Sequence, residues 1–118
     1  MTIQKLLMAT LTPFGYPVVP DVYDGEEKKY FTFNISDDRG DLFADDHPST
    51  NRVTMQVHFF LPQSENYITE KAAVRGALLD AGFTYPTVEM LTEDDTGVRH
   101  IVYECEISER EVQDSWHM

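Results

Sequence analysis

The triplet Asp95-Thr96-Gly97 lies inside "TEDDTGVRH", and one class of aspartic protease uses this triplet to supply half of its catalytic dyad. A dyad of that kind needs two carboxyls sharing one proton in a low-dielectric cleft. Here Asp95 follows Glu93 and Asp94 in a hydrophilic stretch. The short segment after it offers no flap and no Ile/Leu-pair-plus-Gly strand of the kind that crosses behind a dyad. The triplet therefore reads as the turn of a hairpin, with Gly97 where a positive φ is required.

The other reactive side chains are as sparse. His47, His58, His100 and His117 show none of the short spacings that make a metal site legible. His58 and His100 fall on the polar faces of two expected strands and are expected as neighbours across the sheet. With Asp45, Asp46 or Glu93 beside them they would form a cation site; otherwise they are ordinary surface histidines. The acids of "SDDRGDLFADD" lack the ligand alternation, glycine and closing glutamate of a calcium loop. Cys105, the only cysteine, sits in an alternating apolar strand and reads as a buried, inert thiol. No phosphate-binding glycine loop, nucleophile elbow or Ser-His-Asp spacing occurs. The expectation is a protein that is not an enzyme, with no catalytic residue, no cofactor and no metal.

The elements that would carry these residues follow from periodicity. Ile3, Leu6, Leu7 and Leu11 recur at helical spacing behind Thr2 as a cap, and Pro13 and Gly15 end that helix. A proline-rich stretch to Lys29 reads as extended loop, with Val18, Val19 and Val22 able to add a short edge strand. Phe31, Phe33 and Ile35 alternate in one strand, and Val53, Met55, Val57, Phe59 and Leu61 in the next. Between them, residues 36–52 form either a long acidic hairpin arm or a flexible loop. Pro62 and Ser64 are expected to open a second helix that runs to about Leu79 and closes at Gly82. It carries two apolar stripes: Tyr67, Val74 and Leu78 in one, Ile68, Ala72 and Leu79 in the other. "TVEML" and "RHIVYECEI" form the last two strands. The order predicts an α+β domain with a mostly antiparallel four-stranded sheet packed by two helices. One domain spans 1–118, with its core in 1–107 and a tail in 108–118.

A chain of 118 residues with 42% apolar and 12% aromatic side chains is able to bury one core. No apolar run is long enough for a membrane helix, and the first residues lack the features of a secretory signal, so a cytoplasmic protein is expected. Nine basic against twenty-one acidic residues give a net charge of −12. That balance argues against clamping nucleic acid phosphates and suits a surface that repels a polyanion.

Taken in order, "YFTFNI", "LFADDHP", "TMQVHFFLP", "NYITEKAAVRGALLDAGF" and "EDDTGVRHIVYECEI" resemble a family of small morphogenesis proteins of long-tailed phages and prophages. These are the tail terminator, tail completion and head–tail joining proteins. The resemblance covers roughly residues 1–107 and rests on the order and spacing of its segments, among them Gln56-Val57, Ala81-Gly82-Phe83 and the stretch from Asp95 to His100. It implies a homohexameric ring at the tail–head junction that meets tail-tube and head-connector proteins. The subunit would be found in the host cytoplasm during assembly and in the virion afterwards, without sequence-specific nucleic acid binding or a membrane. A cyclic ring needs two different contact patches on each subunit. The expected ones are the arm around Leu42 and Phe43, and the second helix with Tyr67, Lys71 and Arg75. Two other readings stay open on the residues alone: an acidic adaptor or nucleic-acid-mimic inhibitor, and a small enzyme using His58 and His100 with nearby carboxylates.

Overall fold

The computed structural model describes residues 2–44, 47–93 and 96–109, with 42–44, 47–49, 92 and 93 described by their backbone alone. The first helix, α1, spans Ile3–Leu11, and the Thr2 hydroxyl accepts the Lys5 N–H at 3.1 Å. That side-chain cap satisfies one of the donors a helix start leaves free. Leu7 and Leu11 are fully buried, and Ile3 and Leu6 pack against the core. Gly15, at φ 92°, closes the 3-10 turn Thr12–Phe14 that follows, a backbone conformation that only glycine adopts without cost.

Five strands follow: β1 (Val18–Pro20), β2 (Tyr30–Ala44), β3 (His47–Pro62), β4 (Thr87–Glu93) and β5 (Val98–Ser108). They form one sheet in the order β1-β2-β3-β5-β4, with β1 parallel to β2 and every other pair antiparallel. The α+β class holds, and the expected four-stranded sheet is corrected to a mixed one of five. The proline-rich segment reaches the sheet because its prolines need only accept. The Pro17 carbonyl takes the Phe31 N–H at 2.8 Å, and Asp21 donates to the Phe33 carbonyl at 3.0 Å. Val22 lies beyond the pairing and is exposed.

The second helix, α2, spans Ile68–Asp80, starting later than the expected opening at Pro62 and Ser64. Those residues are spent on finishing β3 and turning. Gln63 donates to the Gly97 carbonyl at 2.9 Å, and Glu65 to that of Pro62 at 3.1 Å. Asn66 then does the capping work expected of Ser64, its Oδ1 accepting the Ile68 N–H at 3.0 Å. At the other end Gly82 takes φ 110°. Its N–H bonds the Leu79 carbonyl at 3.1 Å, and that of Phe83 bonds the Leu78 carbonyl at 3.2 Å, the paired bonds of a Schellman ending.

Both helices contribute to a core on one face of the sheet, where Leu7, Leu11, Val74 and Leu78 join the inward side chains of the strands. Val53, Val57, Phe59, Leu61, Ile101 and Tyr103 are all fully buried, as their alternation predicts. The Phe31 and Phe59 rings stack at 4.5 Å. Tyr103 buries its ring and donates its hydroxyl to the Lys71 carbonyl at 3.1 Å, so the polar atom is satisfied inside.

Residues 36–44 and 47–52 form the two strands of a hairpin arm. Its register continues from Asp37↔Thr54 out to Ala44↔His47, whereas β5 stops pairing with β3 at Arg52↔Ser108. Beyond Arg52 the arm is therefore a two-stranded ribbon. A register shift between Ile35 and Asp37 lies two residues before the sheet ends at Arg39 and Arg52, and a bulge there bends the strand that goes on into the arm. Asp45 and Asp46 lie outside the described residues.

Candidate functional site

The sheet face away from the helices brings His58 and His100 together, as their positions on β3 and β5 predict. Registers place Tyr30, Phe60, His100 and Leu91 in one row across β2, β3, β5 and β4. Rings stack along it: Tyr30 on Phe60 at 4.8 Å and Phe60 on His100 at 4.2 Å. His58 Nδ1 lies 2.7 Å from His100 Nε2, and His58 Nε2 lies 2.8 Å from Asn34 Oδ1. The Asn34 amide nitrogen in turn donates to Gln56 Oε1 at 3.4 Å. With Asn34 oriented in this way, Nε2 of His58 carries the proton and Nδ1 accepts from His100. Burial, and then the neighbouring His100, push the His58 pKa below that of a free imidazole.

Both ring nitrogens of His58 are thereby hydrogen-bonded. Asp45 and Asp46 lie outside the described residues, and the Glu93 side chain is undescribed. Among the described residues no group of three or more His, Cys, Asp or Glu is placed to hold a metal ion. Of the Asp-Thr-Gly triplet, Asp95 lies outside the described residues. Gly97, at φ 69°, turns the chain from β4 into β5, and the Thr96 hydroxyl accepts the Val98 N–H at 3.3 Å. Cys105 is buried on the core side of β5, where burial first, and the Glu104 charge second, push its pKa up to about 12.

The residues expected at an interface divide between two places. Leu42 and Phe43 lie in the arm, where Phe43 pairs with Pro48; their side chains are outside the described set. Tyr67, Lys71 and Arg75 line one side of α2. Tyr67 packs against the core, with Lys71 Nζ at 6.0 Å from its ring centre. Arg75 donates to the Pro86 carbonyl at 2.8 Å and stacks on the Tyr85 ring at 4.2 Å. The two stripes of α2 part company: Val74 and Leu78 are buried, while Ile68 is 62% and Leu79 45% exposed. Helical geometry sets this open stripe, with Ala72 between, directly beside Lys71 and Arg75.

Two residues of this surface escape the sequence reading. Arg99 lays its guanidinium over Tyr67 at 4.1 Å, and Tyr85 is 59% exposed beneath Arg75. The strand pattern does hold one signal for Arg99: it shares the inward parity of Ile101, Tyr103 and Cys105, where a cation has to find an outlet.

No protein-family model matches this sequence, and no curated protein does.

Proposed function

We propose that this chain is a structural subunit of a phage or prophage virion, a tail terminator or head–tail joining protein that closes into a homohexameric ring. The observation that carries the reading is the outer stripe of α2. Ile68, Ala72 and Leu79 face solvent in the single chain, on a helix whose other stripe already fills the core. Apolar side chains grouped beside cations that join no ion pair among the described residues suit a surface that a second subunit covers. The two-stranded arm supplies the reach to a neighbour that such assemblies need, and the net charge of −12 suits a lumen through which DNA passes without sticking. Hexamer, tail tube and head connector come from the family resemblance alone.

Light scattering of the purified protein across a concentration series tests this directly, with negative-stain images of any large species. The expected result is a discrete hexamer seen as a six-fold ring. A monomer at every concentration would sink the reading. Within a ring-former, Leu42→Asp with Phe43→Asp tests the arm, and unchanged assembly removes it from the interface.

A further inference from the structure

We propose that opposite edges of the sheet carry opposite charge and dock copies of this chain head to tail, the cationic edge of one copy receiving the acidic loop 21–27 of the next. This rests on the ring reading and names the second contact surface that the ring requires.

The cationic edge gathers three of the nine basic residues. Lys71 and Arg99 share the Tyr67 ring, at 6.0 and 4.1 Å from its centre, and Arg75 follows one helical turn after Lys71. Among the described residues none of the three is in an ion pair, although Lys29, Arg39 and Arg52 all are. The Arg99 Nε is buried and has no hydrogen-bond partner among the described residues. Aromatic rings hold these cations in place, and no carboxylate among the described residues pairs with them, in a protein with a large excess of carboxylates. That is a surface shaped for an acidic partner.

The acidic loop has the complementary character. Asp21, Asp24, Glu26 and Glu27 are all exposed, and none is in an ion pair among the described residues. The loop is also shaped. The Tyr23 hydroxyl accepts the Glu27 N–H at 3.0 Å, and the Tyr23 ring packs on Tyr30 at 4.4 Å. A Cβ at Gly25 would collide with the Tyr23 ring, so a residue without one lets the loop fold over it. Lys29 pins the far end, bonding Glu65 at 3.1 Å and Glu70 at 2.8 Å. Carboxylates presented on an ordered loop lose little entropy when they dock.

Position makes the two surfaces a pair. The loop joins β1 to β2 at one edge of the sheet, whereas Arg99 belongs to β5, and Tyr85 and Pro86 lead into β4 at the other. A two-fold dimer pairs unlike patches only when both lie on one contact face. Two unlike patches at opposite edges instead give a heterologous contact, the kind that builds a ring. In this contact the apolar stripe of α2 supplies burial, and the charges select the partner and its register.

A charge exchange tests it. One variant carries Lys71→Glu and Arg75→Glu, the other Asp24→Lys, Glu26→Lys and Glu27→Lys, each followed by light scattering in low salt, where surface charges are least screened. Each alone is expected to need at least about tenfold more protein to assemble than the natural chain. Mixed in equal amounts they are expected to assemble again, because every contact then joins opposite charges. Lys71→Gln with Arg75→Gln, which removes charge without reversing it, is expected to weaken assembly several-fold and serves if a reversal unfolds the chain. Assembly of either reversal at the natural concentration overturns the contact, as does a mixture of folded variants that stays apart, and both outcomes leave the ring reading standing. A natural chain that never assembles overturns the two together.

Discussion

His58 Nδ1 and His100 Nε2 meet at 2.7 Å although 42 positions separate the two residues. They sit diagonally on neighbouring strands, with His58 opposite Val102 and His100 opposite Phe60. His58 Nδ1 is the acceptor of this bond, so a proton added to His58 has to displace it.

This geometry sets a pH dependence. The folded-state pKa of His58 is lowered by burial and by His100, so the unfolded chain takes up the proton first. The contribution to stability is complete above the ordinary histidine value of about 6.5. It falls as the pH drops below that value, until the folded imidazole also titrates. Melting temperatures followed from about pH 7.5 to 5.5 are expected to fall more steeply for the natural chain than for His58→Gln. Parallel curves would mean that the pair is not what titrates.

Lys29 is the half-buried keystone beneath the acidic loop. Its side chain is 17% exposed and that of Glu70 26%, and Tyr16 donates to Glu70 at 2.5 Å. Burial works against the charge of both ions. The hydrogen bonds from Lys29 and Tyr16 outweigh it at Glu70, leaving its carboxyl below the usual range. Lys29→Met strands that carboxylate and is expected to cost about 2–3 kcal/mol in urea unfolding. Because the Glu70 pKa is depressed, part of this difference disappears as acid protonates the carboxyl. A loss under about 0.5 kcal/mol, the range of ordinary surface changes, would remove Lys29 from that role.

The Cys105 thiol, with its pKa pushed up to about 12 by burial and by Glu104, carries almost no thiolate at neutral pH. An aromatic disulfide reagent is expected to leave it untouched in the native protein and to label it fully in denaturant. The labelling rate should track the fraction unfolded. Rapid native labelling would show that the core side of β5 opens locally.

Burial separates two kinds of apolar position. Phe59→Ala, which removes a fully buried ring stacked on Phe31, is expected to cost about 3–5 kcal/mol. Ile68→Ala on the outer stripe is expected to change stability by less than about 0.5 kcal/mol and to lose assembly instead. Paired measurements of unfolding and solution mass check both. An Ile68 variant that is destabilised as much as the core variant would place that residue in the core.

Local pattern was enough for much of this protein. Period-two alternation in "VTMQVHFFL" and "RHIVYECEI" identifies the inward faces of β3 and β5, and Thr2 and Gly82 mark helix ends, because these signals depend only on neighbours a few residues away. The start of α2 was less legible. Pro62 and Ser64 resemble an opening, but Pro62 completes β3 and Gln63 between them bonds Gly97, a partner distant in sequence.

Alternation says which way a side chain faces and leaves open which strand lies beside it. The tertiary structure alone decided that β1 joins β2 in parallel, with the Pro17 carbonyl and the Asp21 N–H bonding β2 at its two ends. Strand register, set by the whole core, likewise decided that Arg99 and Lys71 share the ring of Tyr67. The composition determined a surplus of acid, and the fold determined where Lys71, Arg75 and Arg99 collect against it, because only long-range packing brings separate elements to one edge.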